Sequence, residues 1–335
     1  MQHRVLRVAF IAGFSAVAAS LIAQQPQQPP QLTVKQLKPT VYEVEGGGGN
    51  STVIIANTGI IVVDAKTTEA AGKALVAEIA KITPKPITTV IETHSDGDHV
   101  NGLAGFPAGL KIIAHENNKK EQDAALAAGG RGAPPADRLP TQVVTKEKET
   151  MTIDGVRLEL YHWGPAHTSG DLVVYLPAQK VVATGDIITT NRSEDNPFIH
   201  PEKNGSTAGW IANAKGMSRL DADTYVVGHG DVLKKADMEE RAKRLEERRS
   251  KIAAMVKDGK SLEQIKAALP EAPAPPPAVP PGGAAAVVAP AGGGGQGAPG
   301  AGRGPGGPGA GGPAGGGRGP QPTFTDLAYQ ELTKK

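Results

Sequence analysis

Between residues 40 and 230 short β-branched runs alternate with stretches of helical spacing. TVYEVE, STVIIAN and GIIVVDA read as strands, separated by turns at Gly46–Gly49 and Asn57-Thr58-Gly59. TTEAAGKALVAEIAKI, residues 67–82, repeats apolar positions every three or four residues and predicts an amphipathic helix capped by Thr67 or Thr68. ITTVIET (87–93) and KIIAH (111–115) return to strand, and NNKKEQDAALAAG (117–129) to helix. VRLELYHW (156–163) predicts a strand, and LVVYLP with KVVATGD, joined through Ala178-Gln179, a hairpin. TAGWIANAKGMSRL (207–220) predicts a helix and TYVVGHG (224–230) a strand running into a loop. A long charged helix follows from Lys235 to about Gly259, then a short one, SLEQIKAAL (261–269), capped by Ser261. Strand-rich blocks interrupted by helices, in two halves, predict an α/β chain whose sheets carry helices on their outside. Periodicity takes the topology no further.

The flanks have a different texture. Residues 1–23 open with His3, Arg4 and Arg7, continue as the apolar run VAFIAGFSAVAASLIA, and offer small residues for cleavage after Ala18 or Ala23. That is the layout of a secretory signal. The apolar run of 16 residues is shorter than the roughly 20 needed to span a bilayer. An exported protein, periplasmic or extracellular, with no stable membrane insertion after cleavage is therefore expected. QQPQQPPQ opens a flexible spacer over residues 24–38. Residues 271–322 are Pro, Gly and Ala almost throughout; they offer too little apolar surface to offset the entropy of ordering and predict disorder. TFTDLAYQELTKK (323–335) regains helical spacing at Phe324, Leu327, Ala328 and Leu332 and is expected to dock back on the folded region.

Composition narrows the chemistry. A hydrophobic content of 39% suffices for a core, and a net charge of +2 gives no strong attraction to nucleic acid or anionic membranes. A small molecule is the expected partner. The chain has no cysteine, which excludes disulfide frameworks, thiolate metal sites, cysteine nucleophiles and a lipidated N-terminal cysteine. Any metal must be held by imidazole and carboxylate.

Such groups are concentrated directly after the strand ITTVIET, where His94-Ser95-Asp96-Gly97-Asp98-His99 supplies four candidate ligands within six residues. Residues 94, 96 and 98 lie on one side of an extended segment, and His99 can turn to the other. Three more candidates follow strand ends or loops: His167 in GPAHTSG, Asp186 closing KVVATGD, and His229 in VVGHG. Any one alone would pass for a hydrogen-bonded structural residue. The apolar strands before Asp186 and His229 put both at a common sheet edge, where ligands converge.

In this order the residues resemble the metallo-β-lactamase-fold hydrolase superfamily over about residues 40–230. The family pattern is a strand-end Asp, an H-x-H-x-D-H loop, a later His, a bridging Asp and a last His. Here these are Asp64, the 94–99 loop, His167, Asp186 and His229. The resemblance implies a four-layer αββα sandwich over residues 39–270 with two divalent metal ions at one edge of its sheets. One position departs: Asp96 stands where the motif has its second His. A carboxylate at that place resembles the flavodiiron group, which binds iron. The mapping gives His94, Asp96 and His167 to the first metal, Asp98, His99 and His229 to the second, and Asp186 to both. Zinc is the first expectation, with iron and manganese also compatible with these donors.

Two cations about 3.5–4 Å apart share a water and lower its pKa toward 7. The resemblance therefore implies hydroxide attack on an ester, lactone, thioester, amide or phosphodiester, with Asp98 both a ligand and the catalytic residue that orients the nucleophile. Asp64 is implied to be a buried acid hydrogen-bonding the ligand loops. Three other functions fit the same residues: a di-iron redox protein, a β-lactamase in the narrow sense, and a non-catalytic binding module stabilised by metal. Phe198 and His200, in the loop after Asp186, are candidate substrate-pocket residues, as is His115, which also suits a satisfied structural role. His162 reads as a packing residue, Asp171 as a backbone acceptor, and Asn204-Gly-Ser-Thr as a helix cap. Arg241–Arg249, interleaved with Glu, reads as a solvated helix face.

Overall fold

A computed structural model describes residues 30–129, 134–275 and 321–334. The expected signal segment 1–23 and most of the Pro/Gly-rich stretch, residues 276–320, lie outside these residues. Seven strands form the first sheet in chain order: β1 (Thr33–Lys38), β2 (Val41–Glu45), β3 (Ser51–Ile55), β4 (Ile60–Val63), β5 (Ile87–Ile91), β6 (Lys111–His115) and β7 (Gln142–Val144). The pairings up to β4 are antiparallel and those beyond it parallel. The second sheet comprises β8 (Lys148–Ile153), β9 (Val156–Tyr161), β10 (Val173–Leu176), β11 (Val181–Ala183) and β12 (Thr224–Val226), in the order β12-β11-β10-β9-β8. Its pairings are antiparallel except for the parallel β11–β12. The helices are α1 (Glu69–Ile82), α2 (Gly97–Val100), α3 (Glu116–Ala127), α4 (Thr207–Ser218), α5 (Lys235–Lys257), α6 (Leu262–Ala268) and α7 (Phe324–Thr333).

The side-chain alternation of the strands sorts the apolar residues into three layers. Ile54, Ile61, Val63 and Ile91 of the first sheet meet Leu158, Leu160, Val174, Leu176, Val181 and Val226 of the second in a core between the sheets. Their chain neighbours Val53, Ile60, Val62 and Val90 point the other way and pack on Leu75 and Ile79 of α1. Val173, Tyr175, Val182 and Tyr225 likewise turn outward onto Trp210 of α4, Leu245 and Ile252 of α5, and Phe324 and Leu327 of α7. The inner strands of both sheets are thus buried on both faces, which is why they read as continuous apolar runs. The result is the expected αββα sandwich.

Local chemistry fixes the helix starts. Thr68 accepts a hydrogen bond from the Ala71 amide, and Ser206, Ser261 and Thr323 do the same for α4, α6 and α7. No helix among the described residues is long and apolar enough to cross a membrane.

Three expectations need correction. The spacer drawn over 24–38 runs too far, because β1 begins at Thr33 and pairs with β2 as the edge strand of the first sheet. Its mixed TVKQLK sequence lacks a clean apolar face, so the signal was weak. The proline-rich stretch drawn from 271 begins with ordered contacts: the Ala272 amide donates to Asp195 at 2.8 Å. Within the Arg241–Arg249 face, Arg248 is buried; it donates to the Leu269 and Pro270 carbonyls and to Thr325 Oγ1, tying α5 to α7. Strands β7 and β8 were not anticipated. β8 alternates half-buried and exposed positions at the sheet edge, where KETMTI needs no apolar stripe.

Candidate metal centre

All seven expected ligands follow strands whose ends open on the same edge of the sandwich. β5 delivers His94 and then the one-turn α2, which carries Asp98 and His99. β11 runs into a single 3-10 turn containing Asp186, and the parallel β12 leads to His229. The loop between β9 and β10 holds His167, and its register (Tyr161 opposite Val173, Ala183 opposite Val174) places it at the same end.

The ligand atoms gather in overlapping groups in which every atom lies within 4.8 Å of the others: His94, His167 and Asp186; Asp98, His99 and His229; and Asp96, His167 and His200. Asp186 belongs to the first group and also reaches the second. Its Oδ1 is 3.2 Å from His99 Nε2, and its Oδ2 is 3.5 Å from His229 Nε2 and 3.9 Å from His167 Nε2. Asp98 Oδ2 is 3.0 Å from His229 Nε2. Glycine makes this crowding possible. A Cβ on Gly49 would stand 2.1 Å from the His99 ring, and one on Gly228 1.8 Å from Asp186 Oδ1.

Asp64 is fully enclosed below the cluster. Its carboxylate accepts from the Thr93 amide and hydroxyl and from His99 Nδ1, at 2.7–2.8 Å. Thr93 Oγ1 in turn lies 2.9 Å from His94 Nδ1. One buried acid therefore turns the Nε2 atoms of two imidazoles toward the cluster.

The electrostatics are those of a site with too many donors and too little positive charge. Burial, then the neighbouring His99 and His167, press the His94 pKa well below the imidazole range. Burial also opposes charge on His99, yet the Asp186 and Asp64 carboxylates raise it well above that range. For His167 the burial effect is overcome by Asp96, bringing it to about 9. Burial works against ionisation of Asp98, but His229 and His99 bring it down to about 2.

Cations fit this donor set. His94 Nε2 is buried with no hydrogen-bond partner among the described residues, and His99 Nε2 faces His229 Nε2 at 3.3 Å, where at most one of the two can donate. An unpaired buried nitrogen costs about 1–3 kcal/mol, a cost that coordination to a cation would remove.

Among the expected pocket residues, Phe198 lies beside the cluster. Its carbonyl is 2.8 Å from His167 Nδ1, and the Arg192 guanidinium sits 4.3 Å from its ring centroid. His115 does not belong there. It stacks on His162 at 3.8 Å between ring centroids and its Nδ1 accepts from the Asn117 amide at the start of α3; as a strand-end residue it serves the helix that follows. Asp171 accepts from the Ala166 and Thr168 amides and closes the turn that presents His167. Lys203, Glu121 and Glu202 escaped sequence reasoning. Lys203 donates to Asp96 Oδ1 and, at 2.8 Å, to Ser95 Oγ. Glu121 accepts from Ser95 and Ser169, linking the two ligand loops. No local motif marks any of them; only the folded loops bring Lys203 and Glu121 to Asp96 and Ser95, and Glu202 to His200.

A family profile described as the metallo-beta-lactamase superfamily matches residues 44–229, more than half of the 335-residue chain. The chain belongs to that superfamily. Among its relatives, 2,4-dinitroanisole O-demethylase subunit alpha from Nocardioides sp. (strain JS1661) is 28% identical over 60% of this chain and 58% of its own length. Metallo-beta-lactamase type 2 from Elizabethkingia meningoseptica is 26% identical over 52% of this chain and 69% of its own. The stereoselective inverting sec-alkylsulfatase of Pseudomonas sp. superposes with a TM-score of 0.60 at 18% identity, covering 72% of this chain and 46% of that one. The match thus spans little more than half of the demethylase subunit and less than half of the sulfatase. These superfamily relatives are enzymes.

Proposed function

We propose that this chain is a dinuclear metallohydrolase that cleaves an ester, lactone, thioester, amide or phosphodiester bond of a small molecule, and that the leader at residues 1–23 directs it out of the cytoplasm. His94, Asp96 and His167 would hold the first metal, Asp98, His99 and His229 the second, and Asp186 both. The observation that carries this reading is the position of Asp186, with one oxygen toward His99 and the other within 4 Å of both His167 and His229.

Two divalent ions so held supply a water acidified toward neutrality and a positive field for the oxyanion of the transition state. The rest falls to the chain's own side chains. Asp98 is part-exposed at the mouth of the site, with 37% of its side chain open. Too acidic to keep a proton at neutral pH, it accepts a hydrogen bond from the attacking water and orients it. Asp64 holds His99 directly, and His94 through Thr93, so that the ligand atoms need no rearrangement. The Phe198 ring gives the substrate an apolar wall.

The substrate bond is the open element. The relatives' names include a β-lactamase, an alkylsulfatase and a nitroaryl ether demethylase, which define a panel: lactone, thioester, phosphodiester, β-lactam, alkyl sulfate and nitroaryl methyl ether. Metal analysis of the purified chain is expected to give two equivalents of zinc, with chelator-sensitive turnover of one of these bonds. A chain that binds no metal, or turnover that survives chelation, overturns the proposal. The carboxylate of Asp96 favours a second reading, a di-iron redox site; iron as the native metal with no hydrolysis anywhere in the panel selects it.

A further inference from the structure

We infer that His200 is a ligand of the first metal, supplying from the loop after β11 the imidazole that Asp96 withdraws from the H-x-D-x-D-H loop. This rests on the dinuclear reading above and changes its first site from two imidazoles to three.

Asp96 Oδ2 is a hub for imidazole nitrogens. His200 Nε2 lies 3.0 Å from it, His167 Nε2 3.1 Å and His94 Nε2 3.8 Å. The other carboxylate oxygen, Oδ1, is taken by the Lys203 ammonium. Half-neutralised in this way, Asp96 is a weaker donor than a free carboxylate, and the first site gains from a further nitrogen. His94 Nε2, fully buried and without a hydrogen-bond partner among the described residues, is directed into the same space.

The loop that carries His200 is built to hold it. The His200 amide donates to the His167 carbonyl at 2.8 Å, and His167 Nδ1 lies 2.8 Å from the Phe198 carbonyl, so the two imidazoles are fastened to each other's loops. His200 Nδ1 lies 2.7 Å from Glu202, which leaves Nε2 as the free donor atom facing the site. A carboxylate behind an imidazole in this way fixes its tautomer and raises its basicity as a ligand. A 3-10 turn at Pro201–Lys203 then brings Lys203 round to the Asp96 carboxylate. His200 is buried, as a ligand would be and as a freely moving substrate-contact residue need not be. The five imidazoles His229, His99, His94, His167 and His200 form an unbroken series with successive ring centroids 4.2–5.3 Å apart.

The test loads the full chain with Co2+ and counts the paramagnetically shifted imidazole N–H protons in its NMR spectrum. Zn2+ affinity is measured alongside by calorimetry. Five shifted N–H signals are expected in the wild type and four in His200→Gln, whose weaker metal site should lose at least tenfold in affinity. Four signals in the wild type overturn the inference whether or not the variant folds. So does a His200→Gln chain with unchanged signals and affinity. A wild type that takes up no cation fails differently: it overturns the dinuclear reading itself.

Discussion

Asp64 Oδ2 accepts a hydrogen bond from His99 Nδ1 at 2.8 Å, across 35 positions of sequence, from a backbone held at φ 63°. The left-handed conformation turns the carboxylate under the ligand loop instead of along β4, and Asp and Asn are the side chains that tolerate it best. Asp64→Asn should keep the backbone but set an amide donor against the N–H and O–H groups that now donate to the carboxylate. Metal affinity should fall about 10–100-fold, with a loss of about 1–3 kcal/mol of folding stability. Calorimetric zinc titration and urea unfolding read the two effects. Asp64→Ala should destabilise further, and a variant with unchanged zinc affinity would show that Asp64 does not orient His99.

Asp98→Ala and His229→Ala act at the open side of the site, where 37% and 24% of the side chains are exposed. Each should abolish turnover while thermal unfolding of the metal-free chain shifts little, because neither fills the core. Full activity in Asp98→Ala would show that the proposed site assignment is wrong.

Asp96→His restores the more common motif. Zinc should be favoured over iron in competition, and Lys203, having lost its carboxylate, should keep its contact with Ser95. The readout is the metal ratio after growth on equal zinc and iron. An unchanged ratio would mean that position 96 is not a metal ligand.

His115 gives stability a pH dependence away from the ligands. Burial, then the neighbouring His162, lower its pKa from the usual 6.5 to about 4. In the unfolded chain it titrates near 6.5, so the folded state favours the neutral ring. The stabilisation is complete above about pH 6.5 and is lost as pH falls through 4, amounting to about 1–3 kcal/mol. His115→Asn retains a cap for α3 and should flatten the unfolding free energy between pH 7 and 4. An equally steep profile would remove His115 as the cause.

Phe324, fully buried against α4 and α5, fastens α7 to the domain. Phe324→Ala should cost about 3–5 kcal/mol, seen as a lower urea midpoint. A change below 1 kcal/mol would mean that α7 contributes little to stability.

The layers were legible because strand periodicity and helix caps are local. Both faces of the strand IIVV are apolar, so β4 had to lie between two layers, and Thr68 and Ser261 announce the helices they cap. The 94–99 loop was legible for the same reason: four donors in six residues declare themselves without any fold. The edge strands β7 and β8 were not, since one face of each needs no apolar side chain.

Sequence by itself therefore determined most of the strands and helices and where seven candidate donors lie along the chain, and the family resemblance it carries implied the αββα stacking. Only tertiary structure decided what Asp96 touches. Lys203 and His200 reach it from 107 and 104 positions away, through a loop whose sequence carries no ligand spacing. It also removed His115 from the site by stacking it on His162. Local pattern reports the elements because backbone hydrogen bonding and side-chain periodicity act over a few residues. Which imidazole meets which carboxylate depends on how distant loops pack.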